Sequence, residues 1–191
     1  GYHLAVHEYS NYYHALAEYY LKTNENRKAW EIYLLLADES RLENKDWGDS
    51  LIQEYPKEPQ IQLISARILF NNFEPWRNED NTEVVKEALN KIDYAAKLGY
   101  SGYRIHYYRS IAFKEIDMLA KAQVEIEKAI SLMPNVPKLY SIQNEIKDKL
   151  CYQNGLCNDI ELQKNYFHYD SLFNYHSINV IKPYPNILES G

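Results

Sequence analysis

The feature that most constrains this chain is a spacing of small and large residues in its third quarter. Behind Tyr107, Ser110 and Phe113 stand Ala122, Ile126, Ala129 and Pro134. Ser110, Ala122 and Ala129 are small enough to let two helices approach closely, and Phe113 and Ile126 are large enough to fill the space between them. Counted from Tyr103, the unit is 34 residues long, and the next helix is expected to begin at Pro137, since proline suits a first helical turn. One helix–turn–helix pair cannot cover its own apolar face, so a chain with this period is expected to stack several of them.

The same register fits from Ser10, with Tyr13, Leu16, Ala17, Tyr20, Ala29, Tyr33 and Leu36 at the packing positions and Arg41 in the place that Pro134 takes later. This predicts helices over about Leu4 to Lys22 and Arg27 to Arg41, with a polar turn at Thr23 to Asn26. A third fit begins near Pro59, with Ala66 and Leu69 in one helix and Ala88, Ile92 and Ala95 in the other. Here about ten extra residues, Asn72 to Asn81, separate the helices. They hold Pro75-Trp76 and several charges and read as a surface loop, with Thr82 as the cap of the helix that follows. Between Asn44 and Pro59 a short helix is expected, roughly Asp46 to Tyr55, closed by Pro56. Pro137 to Leu150 reads as a closing helix whose polar second half suits a terminal position that no neighbour covers. Gly99 and Gly102 bracket a helix junction and read as structural positions where a positive φ is often needed.

From Ser10 to Leu150 the pattern resembles the tetratricopeptide repeat. The resemblance implies an all-α fold: a right-handed α-solenoid of about three helix–turn–helix units over residues 1–150, with a closing helix, followed by an irregular C-terminal segment over 151–191. It also implies a non-catalytic scaffold or adaptor that binds a peptide or helix of another protein in a concave groove lined by the first helix of each pair. Carried over position by position, the groove takes Asn11, His14, Glu18 and Lys22 from the first unit. It takes Gln60, Leu63, Arg67, Phe70 and Asn71 from the second, and Arg104, Tyr107, Ile111 and Lys114 from the third. Arg67, Arg104 and Lys114 then form a basic centre, and Phe70 and Tyr107 are the aromatic anchors expected to carry binding energy. Reversing Arg67 and Arg104 together is expected to abolish binding and leave the fold intact. Some relatives grip a C-terminal carboxylate with Lys and Asn; this chain has His14 and Glu18 at those places in its first unit, so a clamp of that type is not expected.

The net charge of −6 argues against a nucleic-acid partner, which needs clustered Lys and Arg. The longest apolar run, Ile32 to Ala37, is far too short to span a bilayer, so no membrane insertion is expected. The chain opens on Gly1 and reads as a fragment or a mature form, of cytoplasmic or bacterial envelope origin. An alternative role follows: an accessory region of a larger envelope or polysaccharide-export protein. Cys151 and Cys157 flank Asn154-Gly155, a turn-forming pair that can bring two sulfurs together; a disulfide and two free thiols are both open. The nineteen tyrosines suit helix seams, where the ring packs and the hydroxyl stays wet. Asn158 is read as the cap of a further short helix over about 159–169, and the aromatic stretch from Tyr166 to Tyr175 as packed against the helices or, alternatively, lying in the groove of its own or a neighbouring molecule.

Nothing in the sequence assembles a catalytic centre. His3, His7 and His14 share one helix face, but His7 and His14 are about two turns apart, so all three cannot hold one ion; His3 and His7 have the i, i+4 spacing that could, and the bland alternative is exposed histidines on an N-terminal helix. His168, Asp170 and His176 have no nucleophile placed beside them, and the six glycines form no phosphate-binding loop. No cofactor, metal or enzymatic activity is expected.

Overall fold

The computed structural model describes residues 2–39, 42, 45–72 and 82–155, with side chains from residue 11 onward. Among them the chain is all helical: α1 (Tyr2–Lys22), α2 (Asn26–Asp38), α3 (Lys45–Glu54), α4 (Pro59–Asn71), α5 (Thr82–Lys97), α6 (Tyr103–Glu115), α7 (Leu119–Leu132) and α8 (Pro137–Asn154). Thr82 is the first residue of α5 rather than its cap, α2 stops at Asp38, and α8 runs a turn beyond Leu150. The chain divides into two compact units, Gly1–Gln143 and Asn144–Gly191, with the division inside α8. Arg41, residues 73–81 of the insert, Cys157, the expected helix over 159–169, His168, Asp170, His176 and the aromatic stretch lie outside the described residues, as do the side chains of His3 and His7.

In the first unit, helices pack mainly on their neighbours in the chain. α1 packs on α2, α4 on α5 and α6 on α7; α2 with α4 and α5 with α6 join these pairs, α3 covers α4, and α4 also touches α6. The burial of α4 follows. Every residue from Gln60 to Phe70 is buried, because helices cover it on several sides. α5 and α7 are amphipathic instead. α5 buries Val85, Ala88, Ile92 and Ala95; α7 buries Leu119, Ala122, Ile126 and Ala129 with Glu125. The two stripes share one 3-4-3 spacing, which keeps four side chains on one helix face.

The 34-residue register holds at the level of burial. Ala29, Ala88 and Ala122, which occupy one repeat position, have no exposed surface. Tyr33, Ile92 and Ile126 follow at the next contact, then Leu36, Ala95 and Ala129, and all six are buried. In the first helices of the pairs, Ala17, Ala66 and Ser110 coincide and are likewise fully buried. A larger side chain at any of these small positions has to push two helix axes apart, and overpacking of this kind costs about 1–3 kcal/mol.

The turns repeat as well. Asn24 (φ 60°) and Asp117 (φ 55°) take the left-handed conformation at equivalent places between α1 and α2 and between α6 and α7. Asn and Asp tolerate that region better than other residues with a Cβ. In each turn the next N–H reaches back across the helix end: Glu25 N–H donates to Tyr20 O at 2.8 Å and Met118 N–H to Phe113 O at 2.9 Å. The end of α5 closes in the same way with Gly99 at φ 98°, where Tyr100 N–H donates to Ala95 O at 3.1 Å. Gly102 differs from expectation. Its φ is −74°, which any residue adopts; glycine makes room there for the Tyr100 ring, which a Cβ would meet at 2.8 Å and have to displace.

Candidate functional site

α4, α6 and the start of α8 line a half-open cavity of ≈ 180 Å³. Its lining is Arg67 and Phe70 from α4; Tyr107, Ile111, Lys114 and the adjacent Glu115 from α6; and Lys138 and Ile142 from α8. Helical periodicity explains the grouping: steps of three or four residues keep Arg67 with Phe70, Tyr107 with Ile111 and Lys114, and Lys138 with Ile142 on common faces. Phe70, Ile111 and Ile142 make part of the wall apolar, and the rest of the lining holds three cations and one carboxylate.

The polar groups of this cavity are incompletely satisfied. Arg67 is 8% exposed, and its Nε has no hydrogen-bond partner among the described residues. Tyr107 is 2% exposed, and its hydroxyl likewise has none. Burial pushes the Tyr107 phenol well above its ordinary pKa, while the nearby Arg67 cation pulls the other way. A buried, unpartnered donor costs about 1–3 kcal/mol, so two in one cavity are unusual. Lys114 pairs with Glu115 at 3.1 Å, and Lys138 Nζ donates to the backbone carbonyl of Asp38. Burial lowers the Lys138 pKa; Glu39 and Asp38 oppose that shift, and Arg67 adds to it.

Beside this cavity lies a closed polar cluster. Tyr108 Oη donates to Asp38 Oδ1 at 2.7 Å, Arg104 Nε to Asp38 Oδ2 at 2.8 Å, and Arg104 Nη1 to Glu31 Oε2 at 3.3 Å. Burial works against the Arg104 charge, but Asp38 and the surrounding phenols outweigh it, and the pKa is raised further. The expected basic centre is therefore divided. Arg104 is committed to an internal ion pair, so reversing its charge strikes the packing, and the expectation that the double reversal leaves the fold intact is corrected here.

The other expected groove residues lie apart from the cavity. Asn11, Glu18 and Lys22 are exposed, and His14 is half-buried with its ring 5.9 Å from that of Tyr33. Gln60 and Leu63 are buried. Asn71 ties two backbone segments together, its Nδ2 donating to Ala37 O and Leu42 O, both at 3.0 Å. The cavity thus unites Arg67, Phe70, Tyr107, Ile111 and Lys114 out of the expected set. Glu115, Lys138 and Ile142 were missed. Two of them were within reach, because Lys138 holds in the closing helix the place of Asn11, Gln60 and Arg104, and Glu115 holds that of Lys22 and Asn71. Ile142 matches no groove position and carries no such signal.

Elsewhere, His106 Nδ1 lies 2.8 Å from Glu125 Oε2, and Lys128 Nζ lies 2.7 Å from Glu125 Oε1. Among the described residues no group of three or more His, Cys, Asp or Glu is placed to hold a metal ion, and no helix is long and apolar enough to cross a membrane. Cys151 is disulfide-bonded. No protein-family model matches the chain, and neither curated proteins nor solved structures give a match.

Proposed function

We propose that this protein is a non-catalytic adaptor, a short right-handed α-solenoid of three tetratricopeptide-like units closed by α8, which holds a peptide or helix of another protein in a concave groove. One observation carries the reading. Five residues assigned to a groove by repeat position alone, from two units 44 residues apart in sequence, line one cavity. Phe70 and Tyr107 supply aromatic surface, and Arg67 and Lys114 select acidic or polar ligands. The test is affinity capture from the source organism's lysate with wild type, Arg67→Glu and Phe70→Ala, each first shown by circular dichroism to be folded. A protein retained by wild type and lost in both variants supports the reading. Retention that is identical across all three contradicts it.

A second reading is favoured by the disulfide at Cys151, since such bonds persist in oxidising compartments. In it, these helices are an accessory region of a larger bacterial envelope or polysaccharide-export protein, and the groove receives a segment of that same protein.

A further inference from the structure

The unsatisfied donors of the cavity specify more than a generic groove. A peptide lying across a helix surface has no need of a guanidinium Nε and a phenol hydroxyl that are both nine-tenths buried and both unpartnered. Their neighbours define what would satisfy them. Arg67 and Tyr107 offer donors, Lys114 and Lys138 add positive charge, and Glu115, the one carboxylate of the lining, is engaged by Lys114, while Glu39 and Asp38 act on Lys138 from behind it. An acceptor with full negative charge fits such donors, because charge-assisted hydrogen bonds are roughly twice as strong as neutral ones. A neutral acceptor leaves the cationic excess unanswered. The rest of the wall, Phe70, Ile111 and Ile142, offers no hydrogen bond and wants apolar contact. The volume of ≈ 180 Å³ sets the scale, since a cavity of about 150 Å³ holds benzene.

We infer that this cavity is a receptor for one small organic oxyanion with a compact apolar body, of the size and class of an aryl or branched-alkyl carboxylate. The oxyanion sits against Arg67 and Tyr107, whose Nε and Oη have almost no accessible surface and turn toward the anion when it enters, and the apolar body lies against Phe70, Ile111 and Ile142. The site goes beyond the adaptor reading, because a free metabolite-sized anion occupies it with no protein partner present. It also gives the groove a means of control, as such an anion and a partner's side chain would compete for the same donors.

The experiment is isothermal titration of the full chain with three probes: benzoate, benzyl alcohol and inorganic phosphate. Two variants accompany the wild type, Arg67→Met, which keeps the apolar stem, and Lys138→Gln, which removes a cation at the rim. Folding of each is checked by circular dichroism. Saturable benzoate binding is expected, weakened about tenfold or more in Arg67→Met and less in Lys138→Gln, with no saturation by benzyl alcohol. Three results would each overturn the inference: no saturable benzoate binding, equal benzoate affinity in wild type and folded Arg67→Met, or phosphate bound as tightly as benzoate. The assay contains no protein partner, so its failure leaves the adaptor reading standing, and loss of the adaptor reading leaves this one standing.

Discussion

Two arginines of the first unit, Arg67 from α4 and Arg104 from α6, are largely withdrawn from solvent, with Arg67 buried and the Arg104 side chain 12% exposed, and they differ in what surrounds them. Arg104 makes hydrogen bonds to two carboxylates, and Asp38, which accepts one of them, is further held by the hydroxyl of Tyr108. Arg67 lines a cavity with its Nε unpartnered, beside Tyr107, whose hydroxyl is equally unanswered. The tyrosines are neighbours in sequence, with ring centroids 5.3 Å apart. A helix turns about 100° per residue, so adjacent tyrosines face different surroundings: one closes a structural ion pair and the other opens on a cavity. Burial therefore does not by itself separate structural polar groups from functional ones. Satisfaction does. A closed cluster holds helices together, and an open one is a cost to folding that only something arriving from outside can offset.

The sharpest way to break this contrast is to remove each guanidinium while keeping its stem. Arg104→Met leaves Asp38 and Glu31 without their cation, and breaking a buried pair from one side costs about 3–5 kcal/mol. Arg67→Met deletes a donor that has no partner, so its stability is expected within about 1 kcal/mol of wild type. Urea unfolding of the two variants checks this, and equal losses would erase the distinction. The tyrosines provide a finer version. Tyr108→Phe removes a hydrogen bond to a charged acceptor and is expected to cost about 1.5–3 kcal/mol, whereas Tyr107→Phe removes only an unsatisfied hydroxyl and is expected to be neutral or slightly stabilising.

The smallest effect is expected at Glu125, a second satisfied cluster nearer the surface. Burial pushes its carboxyl up, but hydrogen bonds from Lys128 and His106 outweigh that, and its pKa lies below the ordinary carboxylate value. A carboxylate whose folded pKa is depressed stabilises the fold fully above its unfolded pKa, and the contribution disappears as pH falls through the folded value. Glu125→Gln should therefore unfold more easily than wild type near neutral pH, with the gap closing as pH falls through the depressed pKa of this carboxyl. Melting curves across that range check the sign.

The repeat was legible in the sequence because packing positions obey one local rule. A small residue where two helices cross is required wherever the pair recurs, so Ala17, Ala66 and Ser110, then Ala29, Ala88 and Ala122, stand out without any structure. The Asn24 and Asp117 turns follow from the same 34-residue step. The cavity was legible only in part. Repeat position assigns a residue to a helix face, and that was enough for Arg67, Phe70, Tyr107, Ile111 and Lys114. It does not say which charges on that face find internal partners. Asp38 comes from a second helix of a pair, a place with no groove role, and it reaches 66 residues along the chain to Arg104. Such a pair is fixed by how helices distant in sequence pack, and no spacing rule foresees it. Ile142 stands at the repeat place of Ile64 and Tyr108, both fully buried, so repeat position marks it for packing and gives no sign that it lines a cavity.

The central claim is that Arg104 is a closed structural group and Arg67 an open receiving one. The most direct measurement is the side-chain Nε–Hε nuclear magnetic resonance signal of each arginine, assigned through Arg67→Met and Arg104→Met, recorded with and without benzoate. The account predicts an Arg104 signal that exchanges slowly with water and does not move, and an Arg67 signal that exchanges faster and shifts as benzoate is added. Two equally protected signals, both unmoved by benzoate, would contradict it.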